Sequence, residues 1–141
     1  MSDTVVRFDT KIAIVIRSDL QVWQKLNVAA FLASGIAAAF ADCIGDPYED
    51  ASGTRYHPLI GQPILIYGAD RVAIARALDR AIARGVKAAV YSQEMFATTH
   101  DAANSAVVKA VTRPELNLVG LAFRAERKVI DKVVDGLRFH T

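Results

Sequence analysis

Apolar residues along the chain fall into short blocks separated by polar, glycine- or proline-bearing joints, and the spacing inside each block predicts an element. Lys11-Ile-Ala-Ile-Val-Ile-Arg17 is a continuous β-branched run, the pattern of a strand covered on both faces. Ser18-Asp19 can cap a following helix, and Trp23–Ala41, rich in Ala and Leu, has the length and composition of a long buried helix. Pro63–Tyr67 reads as a second strand, ended by Gly68. Asp70–Arg84 is amphipathic, with Val72, Ile74, Ala75, Leu78 and Ile82 on one side and Gly85 as its C-terminal signal. Val86–Ser92 follows as a third strand, Thr99–Val111 as a short helix capped at Thr99, and Leu116–Phe123 as a fourth strand. Arg124–Leu137 reads as the last helix, turning Val129, Ile130, Val133, Val134 and Leu137 inward. This alternation predicts an α/β fold, a three-layer α/β/α sandwich around a four-stranded, mostly parallel (mixed) sheet. Residues 1–9 form an N-terminal extension and 42–60 a long surface loop, within a single domain spanning 1–141.

Composition narrows the function classes. Of 141 residues 52% are hydrophobic and 23% charged, too apolar for a disordered chain, and 24 alanines favour close helix-on-sheet packing. A net charge of +2 does not by itself argue for nucleic acid or a membrane, so any electrostatic role rests on local distribution. Arg76, Arg80 and Arg84 recur every four residues, as do Arg124, Lys128 and Lys132. Such stripes either follow a phosphate backbone or are solvated helix faces with Asp79, Asp131 and Asp135 interleaved. The longest charge-free run, Leu26–Ala41, has sixteen residues, short of the ~20 that a membrane span needs. No membrane association is expected, and the first ten residues lack the apolar stretch of a signal peptide.

Cys43 is the single cysteine, which excludes an intramolecular disulfide and fits a reducing cytoplasm. It reads as a small core residue. The eight glycines allow neither G-x-G-x-x-G nor a phosphate loop, and Ser34 lacks the G-x-S-x-G elbow. His57, His100 and His140 are scattered without a metal-binding pair, so neither a cofactor nor a metal is expected.

Read in order, several segments resemble the type II peptidyl-tRNA hydrolases. That family opens on a strand K-x-x-x-V-V-R-x-D-L, and Lys11-Ile-Ala-Ile-Val-Ile-Arg17-Ser18-Asp19-Leu20 stands here. Leu26-Asn27-Val28-Ala29-Ala30-Phe31 occupies the place of its helix motif G-K-x-A-A-Q, and Gly61-Gln62-Pro63 is similar to its G-Q-x-K. Ser92-Gln93-Glu94-Met95-Phe96-Ala97-Thr98 lies where the family has Q-D-A-G-x-T-Q, and Ile130–Leu137 resembles its I-D-K-V-T-G-x-L close. The resemblance implies that family's fold, a homodimer and a tRNA or small-molecule ligand. It places the family's catalytic lysine at Asn27, its helix glutamine at Phe31, its aspartate at Glu94 and its threonine at Thr98.

Ester hydrolysis needs a group that orients or deprotonates water, a cation or donor for the oxyanion, and groups that position substrate. Glu94 at a strand end with Thr98 and His100 beyond it can supply base and donors, and Lys25 can supply the cation. These four are the candidate catalytic residues, with Trp23, Asn27, Phe31 and Thr99 as substrate contacts. Two functions stay open: a divergent hydrolase of peptidyl- or aminoacyl-type esters, or a non-catalytic small-ligand or partner-binding protein whose apolar pocket contains Phe31 and Trp23.

Overall fold

A computed structural model describes residues 6–141. The expected first strand forms as β1 (Thr10–Arg17), with Ile12, Ala13, Ile14, Val15 and Ile16 all buried, so both of its faces are covered. Helix α1 (Val22–Ala39) follows, then β2 (Tyr48–Glu49), β3 (Arg55–Tyr56), β4 (Ile64–Ala69) and α2 (Arg71–Ala83). The chain continues through β5 (Ala89–Ser92), α3 (Asp101–Lys109), β6 (Leu118–Glu126), α4 (Arg127–Val133) and β7 (Arg138–Phe139).

The fold is mixed α/β, and its main sheet departs from expectation. It has five strands in the order β5-β6-β1-β4-β7, and only the β1–β4 pairing is parallel. Strands buried on both faces read as continuous apolar runs in either direction, so hydrophobicity alone does not report their polarity. β6 is also longer than expected. Arg124 and Ala125 continue the ladder opposite Ile12 and Lys11, which delays α4 to Arg127 and shortens it to seven residues. The fifth strand, β7, is a two-residue edge beside β4 at Tyr67 and Gly68.

Side chains alternate between two cores. Ala13 and Val15 face Ile74, Leu78, Ile130 and Val133 of α2 and α4, whereas Ile12, Ile14 and Ile16 face Val28, Leu32 and Ile36 of α1. α3 adds partly buried Val107 and Val108 to this second core. Helix α2 buries Ala77 and Ala81 beside Ile74 and Leu78, while Val72 and Ile82, expected inward, are exposed. Gly120 lets α1 pack close against the sheet. A Cβ there would overlap Val28 Cγ1 and lie 2.8 Å from Leu32 Cδ1, so only glycine admits the helix at this distance.

Several joints differ from their sequence reading. Asp19 does not cap α1; it chelates Arg17 through bonds of 3.0 and 2.7 Å, and Gln24 Oε1 instead accepts from the Gln21 amide that opens the helix. The 42–60 segment contains the β2–β3 hairpin, closed by Asp50, which accepts from the Ser52 and Thr54 amides and from the Tyr56 hydroxyl. Arg124 is fixed by Asp42 and by buried Gln62, so the loop is tied to β6 and Arg124 is withdrawn from the expected stripe. Of the expected extension, residues 1–5 lie outside the described part; Phe8 O and Asp9 O accept hydrogen bonds from Arg127 at the start of α4. Among the described residues no helix is long and apolar enough to cross a membrane.

Candidate functional site

Where β5 ends, the chain enters a 3₁₀ turn (Gln93–Ala97) and then α3, and this corner faces the first turns of α1. Between them lies a cleft of about 360 Å³, within the range of small-ligand sites. One wall is aromatic. Trp23 meets Phe96 edge-on at 5.7 Å between centroids, Phe96 meets Tyr91 at 5.2 Å, and Tyr91 meets Phe31 at 5.9 Å. Each offset pair favours both rings beyond their burial, and the row holds Phe31, 56% exposed, against the sheet. Burial raises the Tyr91 phenol above its ordinary value, so at neutral pH it is a protonated hydroxyl.

The other wall is polar. Thr98 Oγ1 donates to Met95 O at 2.9 Å and also meets the Asn104 side-chain amide. One hydroxyl proton cannot serve two acceptors, so the donors balance when the NH2 edge of Asn104 faces Thr98. His100, and not Thr99, is the N-cap of α3: its Nδ1 accepts from the Ala103 amide at 3.2 Å. An accepting Nδ1 is unprotonated, which puts the neutral ring's proton on Nε2. Asp101 follows in the first turn, where the helix dipole favours a carboxylate.

Six of the eight residues singled out from the sequence line this cleft: Trp23, Asn27, Phe31, Thr98, Thr99 and His100. Lys25 and Glu94 do not line it. Glu94 is exposed on the 3₁₀ turn, and Lys25 lies close enough to Asp19 for its charge to help hold that carboxyl below its usual range, after the larger effect of Arg17. Sequence reasoning missed Tyr91, Met95, Phe96, Asp101 and Asn104. No local signal marked Tyr91, which shares the end of the third predicted strand with a second hydroxyl, Ser92. Among the described residues no three His, Cys, Asp or Glu side chains cluster as metal ligands.

Residues 10–141 match the family model described as a protein of unknown function, DUF2000. The chain belongs to this family. A solved structure similar to this DUF2000 chain is a protein of unknown function from Agrobacterium tumefaciens strain C58. It is 46% identical, has a TM-score of 0.93, and the match covers 96% of this chain and 100% of that one. No curated protein matches the chain. The two share a fold, and neither comparison names a reaction, ligand or partner.

Proposed function

We propose that the cleft binds a small, flat, amphipathic molecule and that this DUF2000 member is a ligand-binding protein, not a hydrolase. The observation that carries the reading is the composition of the cleft: a row of four rings opposite Thr98, His100 and Asn104, with Lys25 and Glu94 outside it. The rings supply an apolar slot. Tyr91 and His100 Nε2–H supply donors, and Asp101 supplies an acceptor and disfavours an anionic ligand. A neutral aryl amide has this complementarity, with a flat ring and a head group that accepts and donates.

Trp23 is the chain's single tryptophan and lines the cleft, so its fluorescence reports occupancy directly. Benzamide is expected to quench Trp23 saturably and more tightly than benzoate, and Phe31→Ala is expected to weaken it. Equal response to both compounds, or none, contradicts the reading.

The motif resemblance to the type II peptidyl-tRNA hydrolases supports a second reading, hydrolysis of a peptidyl- or aminoacyl-type ester such as that of peptidyl-tRNA. Its physical support is His100 beside Thr98 in one cleft. It requires release of tRNA from labelled peptidyl-tRNA that disappears in His100→Ala; no release above buffer contradicts it. The same resemblance motivates the three-layer sandwich of that family and a homodimer, which sedimentation velocity tests. Buried, unpaired Cys43 favours a reducing cytoplasm.

A further inference from the structure

The opposite face of the sheet carries a second site. Helices α2 and α4 lie side by side there, and an open groove of about 420 Å³ runs between them, lined by Arg80, Arg84, Lys128 and Lys132. Arg76 continues the row on α2, where it lines the adjoining hollow with Arg80. Among the described residues none of these five cations is within ion-pair distance of a carboxylate. Two carboxylates share the groove. Asp131 is held by Lys11 at 2.7 Å, which leaves Asp135 as the one local acid without an ion-pair partner.

The arginines are held without being neutralised. Arg80 donates to the Asp135 backbone carbonyl at 2.8 Å, and Arg84 donates to the Arg80 carbonyl at 3.1 Å. A carbonyl fixes a guanidinium while leaving its charge and its other N–H donors free, which lowers the ordering cost when an anion binds. The Arg84 bond stays within the last turn of α2, whereas the Arg80 bond crosses to the turn that follows α4 and ties the two sides of the groove together.

The length of the groove sets the size of the anion. Lys128 and Lys132 stand four positions apart on a seven-residue helix, about 6 Å along its axis, so both walls are basic for little more than one turn. That suits a compact, multiply charged anion better than an extended strand. We propose that the α2–α4 groove binds an oligophosphate group, that of a small soluble molecule carrying two or three linked phosphates.

The test uses the full chain and inorganic tripolyphosphate in low salt, followed by titration calorimetry. One saturable site is expected, weakened about tenfold by Arg84→Ala and about as much by Lys132→Ala, since each removes a charged donor. Asp135→Asn is expected to tighten binding about twofold, and Phe31→Ala on the other face to leave it unchanged. Arg84 and Lys132 are exposed, so their replacement leaves the core intact. Absence of saturable binding, or affinity indifferent to Arg84→Ala and Lys132→Ala, overturns the assignment. So does a fluorescein-labelled single-stranded oligonucleotide that binds the groove and is not displaced by saturating tripolyphosphate, because that result makes the groove a nucleic-acid surface.

Discussion

The two faces of the sheet recognise by opposite means. On the α1–α3 side the cleft is built from rings that hold one another, with a polar wall in which Thr98 and His100 Nδ1 are engaged within the protein. On the α2–α4 side the groove is built from cations, two of them tied to backbone carbonyls and, among the described residues, none of them ion-paired. Burial is the resource on the first face and field is the resource on the second, so they should answer differently to salt. Binding in the cleft should be nearly salt-independent, whereas exposed charges separated from their ligand by water are screened over ~10 Å at 0.1 M salt. The pairing of β1 and β6 lies between the two and supplies side chains to both cores.

The largest expected effect comes from Gly120, which separates the faces mechanically. Gly120→Ala forces Val28 and Leu32 of α1 away from the sheet and should cost about 2 kcal/mol of stability in denaturant unfolding, the range of overpacked cores. It should also weaken benzamide in the cleft while leaving tripolyphosphate affinity unchanged; equal loss at both would mean that the faces are not independent. Next in size is Tyr91→Phe, which keeps the ring row and removes the hydroxyl. Benzamide affinity should fall about fivefold, roughly the worth of one hydrogen bond, with little change in melting temperature.

A smaller effect is expected from acid. The hydrogen bonds from Arg17 hold the Asp19 carboxyl below its ordinary range. A depressed folded-state pKa contributes stability above the unfolded value of about 3.9 and loses it as pH falls through the lower folded value. Asp19→Asn should therefore lower the melting temperature slightly at neutral pH, and the gap from the unaltered protein should close as the pH falls below the ordinary carboxylate range and through the depressed folded-state value. The exposure of Asp19 keeps this contribution small. Smallest of all, Lys25→Ala and Glu94→Ala should leave benzamide affinity within about twofold, and a tenfold loss in either would return those residues to the site.

Sequence pattern located the covered strand, the long helix and the strand-end corner because burial on both faces and amphipathic spacing are written in consecutive residues. Strand direction was not legible. Ile12 through Ile16 look the same whether their neighbour runs with or against them, and the parallel β4 and antiparallel β6 flank the same strand. β6 ran past Phe123 because the ladder with Lys11 and Thr10 outweighed the helical spacing of Arg124 with Lys128 and Lys132. At the cleft, Trp23, Asn27 and Phe31 fall at helical spacing on α1 and so share a face. Lys25, two residues from both Trp23 and Asn27, lies off that face and near enough to Asp19 to add to the larger effect of Arg17 on that carboxyl. Tyr91 and Asn104 were missed because their roles come from the 3₁₀ turn folding α3 back over the strand end, a long-range event with no local signature.

The two-site arrangement is tested most directly by two-dimensional amide NMR on one sample, titrated first with benzamide and then with tripolyphosphate. Benzamide should move the Trp23 indole and the amides of residues 91–104, and tripolyphosphate should then move those of Arg80, Arg84, Lys128 and Lys132 without disturbing the first set. Shifts from benzamide that bypass Trp23 and α3, or a single set of residues answering both compounds, would contradict it.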